Sequence, residues 1–162
     1  MRNALFNFII ICTVTASAFK VPNKLEFQNL YDTKNHPFEI SKVTETTILF
    51  FWASWCTYCK EALPKIAKIQ NKSPNVKVFG ISVDENKKNG VSASLKEYRS
   101  ISKQYWVGAK FLDDLKIDFI PVIILINKHG KIDTIYQGSQ SDKMTYFQKR
   151  VQYVDSKGEL ND

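Results

Sequence analysis

From Thr46 to Ala53 the chain reads Thr-Thr-Ile-Leu-Phe-Phe-Trp-Ala, apolar or β-prone throughout and without a charge. A strand with no polar/apolar alternation leaves no face for water. The run is therefore predicted to be a strand buried on both faces, in a sheet covered by helices on either side. It passes directly into Ser54-Trp55-Cys56-Thr57-Tyr58-Cys59, and from Thr57 the pattern turns helical. Ala62, Ile66 and Ile69 recur at three- and four-residue spacing, with Lys60, Lys65 and Lys68 between them. Pro64 inside this helix predicts a kink, and Ser73-Pro74-Asn75 ends it.

The rest of the chain repeats the alternation. Val76 to Val83 is a second buried strand, followed by a polar loop from Asp84 to Gly90. Ser92 or Ser94 is expected to cap a helix carrying Leu95, Tyr98 and Ile101 on its apolar face. Tyr105 to Gly108 is ambiguous, and Ala109 to Ile117 reads as a short helix. Phe119 to Ile126, the tight turn Asn127-Lys128-His129-Gly130 and Lys131 to Gln137 form a β-hairpin. Ser139 or Ser141 caps a last helix to about Val154, with Met144, Phe147 and Val151 on one face. Upstream, Asn23 to Tyr31 and Phe38 to Ile40 are two short strands around the turn cluster Asp32 to Pro37. Helices interleaved with buried strands give a three-layer α/β domain with a central mixed sheet and an N-terminal β-hairpin extension.

The 162 residues, 44% hydrophobic, suit one domain with a substantial core. The net charge of +7 is spread along the chain, and no recognition motif accompanies it, so a nucleic-acid partner is not expected. Residues 1–18 have the form of a targeting segment. Arg2 precedes an apolar run through Ile11, and Ala16-Ser17-Ala18 is a small-x-small cleavage pattern. Export with cleavage after Ala18 is expected, leaving 19–162 as the domain. An uncleaved N-terminal anchor that tethers the protein to the membrane is the competing reading. Cys12 lies inside this segment and is not flanked as a lipoprotein cysteine would be.

The mature chain then holds only Cys56 and Cys59. A pair three residues apart closes almost no loop, so as a staple it adds little. Structural zinc wants four ligands, and His36 and His129 stand alone in turns. No metal site or other cofactor is expected, and redox chemistry is what remains. The strand-to-helix junction puts Cys56 at a helix N-terminus, where backbone N–H groups and the helix dipole stabilise a thiolate. Cys59, one turn on and more buried, is placed to resolve a mixed disulfide. Pro121, opening a buried strand, gives no N–H to the sheet. A cis bond to Ile120 would hold that peptide beside the dithiol, free to pair with an extended partner chain; sequence alone leaves the isomer open.

Strand, Trp-Ala-Ser-Trp-Cys-x-x-Cys, helix, a strand ending in Val83-Asp84-Glu85, then Ile120-Pro121 and a hairpin: over roughly residues 25 to 155 this order resembles the thioredoxin superfamily. It is most similar to the exported TlpA/ResA/CcmG-like branch. The resemblance implies a thioredoxin-like fold, thiol–disulfide oxidoreductase activity, a cis Pro121 and attack by Cys56. It implies cysteine-containing protein substrates and an upstream redox partner, which the membrane could hold. Members of this branch mostly work as reductants outside the cytoplasmic membrane, many in cytochrome c maturation. Three positions depart from the pattern. Tyr58 stands where members carry proline, Ala62 where many carry an acid, and Phe50 where thioredoxin has a buried Asp; Glu61 is one residue off the usual acid. Trp55, Tyr58, Ile120 and Pro121 are candidate partner-contacting residues, and Trp52 is expected in the core. Three other readings compete with a reductant: a disulfide-forming oxidase of the same fold, a metal carrier using both thiolates, and a partner-binding module with idle cysteines. No oligomer signal is present, and a monomer is expected.

Overall fold

The uncharged run becomes strand β2, Thr47–Trp52, and all six of its residues are buried. The computed structural model describes residues 31–32, 34–37, 43–101, 103–114 and 117–157. The targeting segment expected over 1–18, and the strands expected within 23–30 and 38–40, lie outside the described residues. Of the N-terminal hairpin the structure describes β1, Tyr31–Asp32, and a bridge from Tyr31 to Pro37 across the intervening turn. There Asp32 Oδ1 accepts from the backbone N–H groups of Lys34 and His36.

β2 lies at the centre of a six-stranded mixed sheet of order β1-β4-β3-β2-β5-β6. On one side it runs parallel to β3, Lys77–Ser82, and on the other antiparallel to β5, Val122–Ile126. Every residue of β5 is buried too, so helices must cover both faces. β6, Ile132–Gln137, returns antiparallel to β5 and forms one edge. The turn between them is set by local chemistry: Asn127 Oδ1 accepts from the N–H groups of His129 and Lys131, and Gly130 adopts φ 76°. Beyond β3 lies β4, Lys103–Trp106, parallel to β3 and antiparallel to β1. Of the ambiguous stretch Tyr105 to Gly108, Tyr105 and Trp106 are thus strand, while Val107 and Gly108 lie past the end of β4. Its half-exposed, mixed-polarity residues carry no clear period because it lies near the sheet edge.

Helix α1, Thr57–Lys72, buries Cys59, Ala62, Ile66 and Ile69 and runs continuously through Pro64. α3 is the short helix Lys110–Asp114, and α4, Ser141–Lys157, buries Met144, Phe147, Val151 and Val154. The sequence places α2 too late. It spans Lys87–Lys96 and is capped by Asn86, whose side chain accepts from the Lys88 N–H, not by Ser92 or Ser94. The Ser94 hydroxyl instead donates to the Val91 carbonyl within the helix. Leu95 is exposed, whereas Tyr98 and Ile101, just past the helix end, are buried. The weak amphipathic signal of α2 came from residues that follow it. Tyr98 stacks on Trp52 with ring centroids 3.7 Å apart, so Trp52 is a core residue as expected.

Candidate active site

Where β2 ends, the chain turns sharply. The Ala53 carbonyl accepts from the Cys56 N–H at 3.1 Å, and α1 begins one residue later with Cys56 as its N-cap. A cap is usually Ser, Thr, Asp or Asn, because an oxygen there can accept one of the orphan N–H groups of the first turn. Here sulfur takes that place, with the Cys59 N–H donating to Cys56 Sγ at 3.1 Å. No acidic residue lies in the first turn, so no carboxylate of that turn opposes negative charge at this sulfur. Cys56 and Cys59 are joined as a disulfide. Cys56 keeps 4% of its surface exposed and Cys59 none.

The second half of the site comes from 64 residues further on. The Ile120–Pro121 bond is cis, and the Ile120 carbonyl oxygen lies 3.9 Å from Cys56 Sγ. Pro121 leads into β5, and its own carbonyl accepts from the Gly138 N–H at 2.8 Å. Cys56, Cys59, Ile120 and Pro121 are thus brought together. Around them the surface is aromatic. Trp55 is 69% exposed and Tyr58 64%, as the sequence reading allowed; Phe119, 55% exposed and next to Ile120, was missed. The β-strand begins only after the proline, and that leaves Phe119 outside.

A second omission is larger. Asp84, read as a loop polar group, is 2% exposed. Its Oδ1 accepts from Ser54 Oγ at 2.6 Å, its Oδ2 accepts from Ser82 Oγ at 2.7 Å, and the Ser54 N–H lies 3.1–3.2 Å from both oxygens. Trp106 Nε1 donates to the Asp84 carbonyl at 2.7 Å. The register explains the meeting. Parallel pairing sets Trp52 opposite Ser82, so residues two further along each strand, Ser54 and Asp84, emerge side by side. Only the pairing of the strands could have revealed this.

The remaining acids near the motif lie elsewhere. Glu61 is exposed and accepts from Ser139 Oγ at 3.4 Å, while Lys65 Nζ donates to the Ser139 carbonyl at 2.7 Å. Phe50 and Ala62 are core residues. Among the described residues no three of His, Cys, Asp or Glu gather closely enough to hold a metal ion.

A dithiol/disulfide at a helix N-terminus beside a cis-proline peptide can exchange two electrons with a partner's cysteines. Comparison with known proteins agrees. The chain is 27% identical over 121 residues to the thiol-disulfide oxidoreductase ResA of Bacillus subtilis, covering 72% of this chain and 67% of that protein. It is 24% identical over 153 residues to a thioredoxin-like protein of Haemophilus influenzae, covering 87% of each. The fold superposes with a TM-score of 0.63 on a secreted Mycobacterium tuberculosis disulfide oxidoreductase homologous to E. coli DsbE, at 17% identity, covering 78% of this chain and 95% of that one. The Redoxin family profile matches residues 14–149. With its thioredoxin-like sheet and bonded cysteine pair, the chain belongs to the Redoxin family and is a thiol–disulfide oxidoreductase of the TlpA/ResA/CcmG-like branch.

Proposed function

We propose that this protein is exported and delivers electrons to disulfides of other proteins, with Cys56 attacking and Cys59 resolving. The observation that carries the role assignment is the position of Cys56 Sγ. It caps α1, accepts the Cys59 N–H at 3.1 Å and belongs to the more exposed of the two cysteines. In the reduced protein the Cys56 thiolate attacks a partner disulfide, forming a mixed disulfide and releasing one partner thiolate. The Cys59 thiolate then attacks Cys56 Sγ, expels the second partner thiolate and closes the Cys56–Cys59 bond. Two electrons pass to the partner, and an upstream donor must restore the dithiol. Ile120 and Pro121 hold an extended partner segment against the sulfur by backbone pairing. Trp55 and Tyr58 contact its side chains.

Export is supported by the charged, apolar and small-residue order of residues 1–18 and by the secreted relative among the structural neighbours. Intact mass of the protein recovered from outside the cytoplasm tests it: the expected N-terminus is Phe19, and retention of Met1 sinks the cleavage reading. The direction of electron flow is tested by the equilibrium potential of the couple against a thiol buffer. A value near thioredoxin's, about −270 mV, supports a reductant, and one near DsbA's, about −120 mV, replaces it with an oxidase. Cys59→Ser should accumulate mixed disulfides with the natural partners. A folded variant that traps none counts against the mechanism.

A further inference from the structure

Asp84 is a buried carboxylate, bonded to Ser54 two residues before Cys56, that the exchange steps do not use. Ser54, Ser82 and the Ser54 backbone satisfy it, all neutral donors, and among the described residues no Lys, Arg or His forms an ion pair with it. Buried carboxylates are normally paired, because hydrogen bonds from neutral groups spread the charge without cancelling it. Helix α2 closes over the network at Gly90, where a Cβ would collide with Ser82 Oγ and lie 3.3 Å from Asp84 Oδ2. On the other side Asp84 shares a groove of about 390 Å³ with the exposed Trp55, the residue beside Cys56.

The distance to the sulfur is bounded by the chain. Ser54 is two residues before Cys56 and its hydroxyl lies 2.6 Å from Asp84 Oδ1; with consecutive Cα atoms about 3.8 Å apart, the carboxylate lies within roughly 15 Å of Cys56 Sγ. With an effective dielectric of about 20, two unit charges shift an equilibrium about sixfold at that outer bound and on the order of tenfold a few ångströms nearer. The groups against this carboxylate are Ser54 from the β2–α1 turn, Ser82 from β3 and Gly90 from α2. Glu85 follows it in the chain, and Glu97 is paired with Lys60 of α1. Tyr98 carries the same field: burial, then Glu97 and Asp84, push its phenol above the usual range.

We propose that Asp84 is a positioning residue for the redox pair: through Ser54 it fixes the turn that presents Cys56, and its charge opposes the Cys56 thiolate, biasing the couple toward the disulfide. The thiolate exists only in the reduced protein, so opposing it destabilises the reduced state and makes the protein a stronger electron donor. The inference rests on Cys56 being the reactive thiol.

The decisive experiment compares the wild type, Asp84→Asn and Ser54→Ala, with fold checked by circular dichroism. Asp84→Asn removes the charge and keeps the shape. At pH 8 its equilibrium constant for reduction by glutathione should rise about tenfold, a potential about 30 mV higher. The shift should vanish at pH values below the Cys56 thiol pKa, where no thiolate is present to repel. Ser54→Ala keeps the charge but removes the hydroxyl that holds the turn: its equilibrium constant should stay within threefold of the wild type, while its rate of exchange with a protein disulfide should fall several-fold. An Asp84→Asn constant within twofold of the wild type overturns the proposal. So does a Ser54→Ala rise equal to that of Asp84→Asn, which would assign the effect to the turn alone. Thiolate absorbance supplies a second test: the Cys56 thiol should titrate at higher pH in the wild type than in Asp84→Asn, and an equal or lower midpoint in the wild type overturns the idea. Exchange activity read on the same samples separates the failures. Full exchange with an unmoved potential sinks only this inference, whereas a wild type without exchange sinks the reading beneath it and this inference with it.

Discussion

Gly80→Ala should destabilise the protein by about 2–3 kcal/mol, through a side chain on the next strand. Gly80 lies in β3 opposite Gln104 of β4. A Cβ built at Gly80 would collide with Gln104 Oε1 and lie 2.7 Å from its Cδ and 2.8 Å from its Nε2. The end of a glutamine normally swings aside cheaply, but this one is tied. Oε1 accepts from Trp52 Nε1 at 3.3 Å, and Nε2 donates to the carbonyls of Tyr98 and Ile101 at 2.9 and 3.1 Å. Displacing it forfeits three hydrogen bonds of about 1 kcal/mol each and strands the indole N–H of Trp52 inside the core. Against that, alanine costs less chain entropy than glycine in a strand, by roughly 0.5–1 kcal/mol. Urea unfolding of the oxidised protein followed by tryptophan fluorescence gives the value. Gln104→Ala supplies the second arm of a double-mutant cycle: in that background Gly80→Ala should cost less than about 0.5 kcal/mol. If the two substitutions prove additive, or Gly80→Ala alone costs under 0.5 kcal/mol, the clash with Gln104 is not what the glycine avoids.

Three further outcomes are expected. Arg150 of α4 grips Asp133 of β6 through two parallel hydrogen bonds, and both side chains are mostly buried. Arg150→Met should therefore cost about 2–4 kcal/mol in chemical unfolding, and a loss below 1 kcal/mol would mark the pair as energetically idle. Tyr98, with its pKa raised above 10 by burial first, contributes stability fully present below about pH 10 and lost as pH rises further, because the unfolded chain ionises first. The melting temperature should fall above pH 10, and less steeply in Tyr98→Phe; equal slopes would contradict the assignment. Trp55→Ala and Tyr58→Ala should leave stability within about 0.5 kcal/mol while slowing reduction of a protein disulfide several-fold. Equal slowing with a small dithiol as partner would show that they act on the thiols and not on the partner.

The features the sequence disclosed are those that local chemistry dictates. The uninterrupted run at 47–52, the spacing of Ala62, Ile66 and Ile69, the Asn127–Gly130 turn and the Cys56–Cys59 pair each announce themselves within a few residues. The Ile120–Pro121 step was legible as an opening to β5 because proline cannot serve a sheet interior. What escaped depends on pairing across the sheet. β4 alternates too little to be read, and Asp84 is an ordinary loop acid until β3 lies parallel to β2 and sets it against Ser54. The start of α2 was misplaced because a good cap, Asn86, stood in a stretch whose charges suggested a loop, while the apolar residues that drew attention, Tyr98 and Ile101, lie beyond the helix.

Access to the sulfur decides what this site can serve. Cys56 is 4% exposed, yet its neighbours Trp55 and Tyr58, and Phe119 beside the cis bond, are more than half exposed. The cysteine proposed to react is thus nearly closed to solvent, while the residues beside it and beside Ile120 in the chain supply a rim of exposed aromatic side chains. Those rings gain by being covered, since each retains a large apolar area in water. A partner that reaches the sulfur must enter as a narrow, extended segment, and its flanking side chains then cover the rim. Small thiols can enter without covering anything and so gain none of that burial. If these rings receive the partner as proposed, the site should favour proteins over small thiols by binding energy rather than by thiol chemistry. The preference should grow with the apolar character of the residues flanking the partner's cysteine. A series of disulfide peptides differing only in those flanking residues, read as rate of Cys56–Cys59 formation, measures it. Rates that ignore the flanks, or that rise with flanking charge alone, would show that the rim is not where the partner is recognised.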